Sequence, residues 1–70
     1  MQEFRVETPG GMKGTRYLDV GFEYDNTLYG YQVGRSTNTG APVARELYAI
    51  RDILLYSKYN EIFIFFVPYR

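Results

Sequence analysis

The sequence predicts one small α+β domain spanning residues 1–70, in the order β-β-β-α-β: an N-terminal antiparallel meander, then one helix crossing over to a buried C-terminal strand. Three observations predict it. Arg16 to Tyr24 alternates with period two, placing Leu18, Val20, Phe22 and Tyr24 on one face and Tyr17, Asp19, Gly21 and Glu23 on the other. Val43, Leu47, Ile50 and Leu54 recur at i, i+4, i+7 and i+11, the apolar stripe of an amphipathic helix. Ile62 to Val67 is apolar without alternation, as in a strand covered on both faces.

Taken in order, Phe4 to Thr8 is a short strand, and Pro9-Gly10-Gly11 turns the chain. The long second strand ends at Asp25-Asn26, two residue types that tolerate positive φ and suit a two-residue hairpin turn. Leu28 to Arg35 returns as its partner, with Gly30 and Gly34 marking a bulge or a close backbone approach. Ser36 to Gly40 is a polar loop, and Pro42 opens a helix expected to reach Tyr56. That helix is long enough to carry the chain across to a parallel neighbour, by default with right-handed sense. Pro68 ends the last strand.

Composition narrows the chemistry. A domain of this size buries only about 60% of its unfolded surface, and eight Tyr and five Phe supply large apolar area from few residues. The surplus of Tyr suits a half-apolar, half-wet surface, so a homodimer or a protein partner is expected. The chain has no Cys and no His, which excludes disulfides, thiolate sites and histidine catalysis. Any metal must be held by oxygen, which favours Mg²⁺ or Mn²⁺ over Zn²⁺. The absence of Cys in so small a domain favours a reducing compartment, expected to be the cytoplasm. Formal net charge is zero, so no global basic field marks a nucleic-acid binder. The longest apolar run is too short to span a bilayer, and no membrane association is expected.

The hairpin brings two polar side chains together. With a two-residue turn, Tyr24 faces Thr27, Phe22 faces Tyr29 and Asp19 faces Gln32, and opposed residues share a face with Cβ atoms roughly 4.5–5.5 Å apart. A four-residue turn would instead oppose Asp19 to Gly34 and leave Gln32 diagonal. A carboxylate beside an amide oxygen can hold a hard cation; the same residues also fit a solvated strand face.

The residues Asp19, Gln32-Val33-Gly34-Arg35, Gly40-Ala41-Pro42-Val43-Ala44-Arg45-Glu46 and Phe66-Val67-Pro68-Tyr69 resemble a subgroup of restriction-endonuclease-fold toxin domains in the PD-(D/E)xK nuclease superfamily, C-terminal modules of bacterial polymorphic toxins. The resemblance covers about Arg16 to Tyr69, and the run from Gln32 to Glu46 is its most specific part. It implies a metal-dependent endonuclease that hydrolyses phosphodiester bonds in DNA or RNA with Mg²⁺ or Mn²⁺, acting in the cytoplasm, as a toxin module or part of a larger delivered toxin. Asp19 matches the first acidic ligand and Gln32 the second acidic position, which is sometimes Gln, so both are implied as catalytic and metal-binding. The family lysine falls at Gly34 and is absent; Arg35, next along, is the candidate to stabilise charge if a bulge re-aims it. Arg45, at a helix N-terminus that attracts phosphate, and Glu46, which orients Arg45 or the adjoining loop, are implied in substrate binding.

Two other readings are weighed beside this one. Arg45 and Glu46 also suit a solvated helix face, and tyrosines such as Tyr17, Tyr29 and Tyr48 suit core or interface as well as base stacking. The alternative function is a non-catalytic binding or self-assembly module on a degenerate nuclease core, favoured by the missing lysine and the absence of a preceding helix.

Overall fold

The computed structural model describes residues 3–69. It is a mixed α+β fold of five strands in two sheets with one helix. Strands β1 (Phe4–Glu7) and β2 (Thr15–Leu18) form an antiparallel pair. Strands β3 (Val20–Tyr24), β4 (Thr27–Arg35) and β5 (Glu61–Tyr69) form a second sheet in that order, with helix α1 (Ala44–Tyr56) between β4 and β5 in sequence. β3 and β4 are antiparallel, whereas β4 and β5 are parallel, as the crossover requires.

The expected hairpin forms. Asp25 and Asn26 adopt φ of 50° and 64°, the pair of positive values that a type I′ turn needs, and Tyr24 opposes Thr27. Phe22 opposes Tyr29 and Val20 opposes Tyr31, so the two-residue register is the one adopted.

The single strand expected over Arg16 to Tyr24 is instead two strands broken at Asp19. The chain changes partner there: β2 pairs with β1, and β3 with β4. Side-chain direction changes with it, since Leu18 is buried while Val20, Phe22 and Tyr24 are exposed. The β1–β2 pair then folds over the inner face of the larger sheet. Phe4 lies against Gly21, and Leu18 Cδ1 would stand 2.6 Å from a Cβ at Gly30. These glycines let one sheet approach the backbone of the other.

The core is small: Val6, Leu18, Leu28 and Ile53 are fully buried, with Phe4, Tyr59, Ile62 and Ile64 packed around them. Helix α1 joins it by a face other than the expected stripe. Leu47 and Leu54 are half exposed, while Asp52 and Ile53 are the buried residues of the helix. Asp52 turns inward because three donors wait there: the amides of Met12 and Lys13 and the Arg16 guanidinium. The helix starts at Ala44, two residues after Pro42, because Val43 N–H bonds back to the Arg35 carbonyl and ties the helix start to the end of β4.

Strand β5 is covered on one face only, which corrects the expectation of a buried C-terminal strand. Ile62, Ile64 and Phe66 are half-buried towards the helix side, whereas Phe63, Phe65 and Val67 are exposed. One helix and one two-stranded sheet can cover only one side of a three-stranded sheet. The other side carries its aromatics in cross-strand contact: Tyr29 stacks on Phe63 at 5.5 Å and Tyr31 on Phe65 at 5.4 Å between ring centroids.

Candidate functional site

Asp19 sits at the break between β2 and β3, where it no longer takes part in either ladder. Its polar groups bond β4 by side-chain routes instead. The Val33 amide donates to Asp19 Oδ2 at 2.7 Å, and the Asp19 amide donates to Gln32 Oε1 at 3.2 Å. Gln32 thus holds the Asp19 backbone, while the Asp19 carboxylate is held by the Val33 amide rather than by the Gln32 side chain. The bond to Val33 also explains the break, because a carboxylate aimed at the neighbouring backbone displaces the regular strand pairing.

Gln32 and Gly34 are two residues apart and share the inner face of β4. Glu46, in the first turn of α1, lays its carboxylate over Gly34, where an added Cβ would overlap it. The Val33 amide that holds Asp19 lies between Gln32 and Gly34 in the chain. Asp19, Gln32 and Glu46 thus meet β4 within three consecutive residues. All three side chains present oxygen, the donor type that Mg²⁺ and Mn²⁺ take. Only two carboxylates contribute, and among the described residues no group of three or more His, Cys, Asp or Glu is placed to hold a metal.

Arg35 is not part of this cluster. Pairing with β5 runs without interruption from Gln32–Phe66 to Arg35–Tyr69, so no bulge re-aims the side chain. Period two sends Arg35 to the outer face, opposite Gln32 and Gly34. This corrects its expected catalytic placement.

Arg45 is exposed and lines a cleft of about 310 Å³ with Glu46, Lys13, Arg16 and Tyr17. Two exposed cations, Lys13 and Arg45, therefore face one groove beside Glu46, and Arg16 lines it while buried in its pair with Asp52. Lys13 and Arg16 escaped the sequence reading, because nothing local joins the β1–β2 connection to a helix that begins some thirty residues later.

Asp52 is buried beside Arg16. Burial pushes its carboxyl up, but the Lys13 and Met12 amides and the Arg16 guanidinium outweigh that effect and hold its pKa below the ordinary carboxylate value. On the far side of the domain, burial and then the Glu23 carboxylate push the Tyr59 hydroxyl pKa up. Glu7 is paired on the surface with Arg5 at 2.7 Å.

Comparison with protein-family models, with curated proteins and with solved structures returns no match. Among the described residues no helix is long and apolar enough to cross a membrane.

Proposed function

We propose that this chain is a metal-dependent nuclease domain that hydrolyses phosphodiester bonds in DNA or RNA. One observation carries the reading: Asp19, Gln32 and Glu46 bring three oxygen-bearing side chains to residues 32–34 of one strand, beside a cleft where Lys13 and Arg45 are exposed. The resemblance of Gln32 through Glu46 to restriction-endonuclease-fold toxin domains is what first suggests these residues.

In this reading Asp19 and Glu46 hold Mg²⁺ or Mn²⁺, with the Gln32 amide oxygen beside them. A cation held there would supply Lewis-acid chemistry to the phosphate and to the attacking water. The chain's own groups do the positioning. The Val33 amide fixes the Asp19 carboxylate, and Gln32 fixes the Asp19 backbone. Arg45 and Lys13 hold the substrate phosphates, aided by the positive end of α1. Glu46 covers Gly34, the position at which the resemblance would put a lysine. Action in the cytoplasm, within a toxin, belongs to the same reading.

The test is cleavage of plasmid DNA and total RNA by the purified chain with Mg²⁺ or Mn²⁺. Asp19→Asn is expected to reduce cleavage by about 10²–10³-fold, the scale of losing one preorganised electrostatic group, with unchanged far-UV circular dichroism. Equal cleavage by the variant, or none by the parent with either metal, overturns the reading. A second reading, a non-catalytic assembly module, is favoured by the extensive apolar outer sheet face; it predicts no cleavage and a self-associating chain.

A further inference from the structure

The outer face of β3–β4–β5 is unusual for a surface. Its outward positions carry Phe22 and Tyr24, Tyr29 and Tyr31, and Phe63 and Phe65, each between 42% and 70% exposed. With aromatic side chains presenting about 150–250 Å² each, the face and its flanking valines leave roughly 850 Å² of largely apolar surface in water. That is about a sixth of the total accessible area of 5037 Å². The largest apolar patch of a typical monomer is only about 300–600 Å², whereas a stable complex buries about 800 Å² per partner. The face is therefore the size of a whole interface.

Its charges are arranged for one kind of partner. Glu61 stands at one end of the face, beside Thr27, and Arg35 at the other, beside Tyr69. Both share the outward parity of the aromatics and both are exposed. Tyr31 lies midway along β4, four residues from each end. A twofold axis crossing the strands at Tyr31 stacks a second copy sheet on sheet with strands antiparallel. Each Arg35 then lies towards the partner's Glu61, and aromatics meet aromatics.

We propose that this face is the interface of an isologous homodimer, a two-layer sandwich of three strands from each copy with the twofold at Tyr31. A single cation at one end offers little to a nucleic acid or an anionic membrane, which are bound through clustered positive charge. A second copy answers both rim charges at once. The proposal is independent of the nuclease reading, since the face lies on the opposite side of the sheet from Gln32 and Gly34.

The experiment is sedimentation equilibrium of the full chain across a concentration series, with far-UV circular dichroism as the check on folding. The parent is expected to be a dimer. Tyr31→Lys and, separately, Phe65→Lys weaken dimerisation at least about 30-fold, as central interface residues do, and neither side chain contributes to the buried core. Arg35→Glu and Glu61→Arg each weaken it by about threefold to tenfold, and combining the two restores parental affinity.

A parent that is monomeric at every concentration overturns the proposal, including one that binds zwitterionic phosphatidylcholine vesicles instead. So does a dimer that survives Tyr31→Lys, the result expected if copies join edge to edge through β5. Failure of the charge swap to restore affinity overturns the antiparallel arrangement.

Discussion

Arg16 and Asp52, 36 residues apart in sequence, meet under the helix: Arg16 Nε donates to Asp52 Oδ2 at 2.8 Å, and both side chains are almost wholly covered. The same carboxylate accepts the Met12 and Lys13 amides at 3.0 Å each. One side chain therefore joins β2, the connection before it, and α1. With four fully buried apolar residues among those described, this polar knot decides how the helix sits on the sheet.

The Asp52 network makes stability acid-sensitive. Its carboxyl has a lower pKa in the fold than in the unfolded chain, so between those two values the unfolded chain binds more protons. Its contribution is fully present above the ordinary carboxylate value, about 3.9, and is lost as pH falls through the folded value. Urea midpoints of the parent are expected to drop as pH is lowered below about 4. Asp52→Asn, less stable than the parent at neutral pH, is expected to show a shallower dependence. Parallel pH profiles for the two proteins refute this role.

Gly30 is where the smaller sheet touches the larger one. A Cβ there stands 2.6 Å from Leu18 Cδ1, in the most tightly covered part of the core. Gly30→Ala is expected to cost about 1–3 kcal/mol by overpacking, measured as a shift in urea midpoint. Leu18→Val, which removes the clashing carbon, should recover part of that loss in the double variant. Independent, additive effects would count against the contact.

Gln32 positions Asp19 through its backbone amide. If the nuclease reading holds, Gln32→Leu should weaken Mn²⁺ affinity by about 10–100-fold, the scale for groups that orient a metal ligand. Titration calorimetry reads this directly, with circular dichroism confirming that the hairpin persists. Unchanged affinity would show that Asp19 needs no such support.

Much of the site was legible because hairpin geometry is local. The Asp25-Asn26 turn sets a register that runs as far as Val20 opposite Tyr31, and Asp19, just beyond it, reaches Gln32 through its backbone amide. Glu46 was legible as a residue of interest but not as a cover for Gly34, since that contact depends on how α1 docks. Arg35 was misplaced because its position required a bulge that the β4–β5 pairing does not contain.

The division follows from the range of the forces involved. Turn dihedrals, period-two alternation and the helix are written in neighbouring residues, and the sequence by itself determined the α+β class, the hairpin and the helix that precedes the last strand, but not the break at Asp19. Tertiary structure decided what covers what. Asp19 breaks a strand because Val33 offers an amide from across the hairpin. The helix turns Asp52 inward, ahead of its leucine stripe, because Arg16 and two amides wait beneath it. Strand β5 has one bare face because a single helix and a two-stranded sheet supply cover for only one side. Alternation can sort residues onto two faces, but which face is buried depends on the layers that the rest of the chain has left to place.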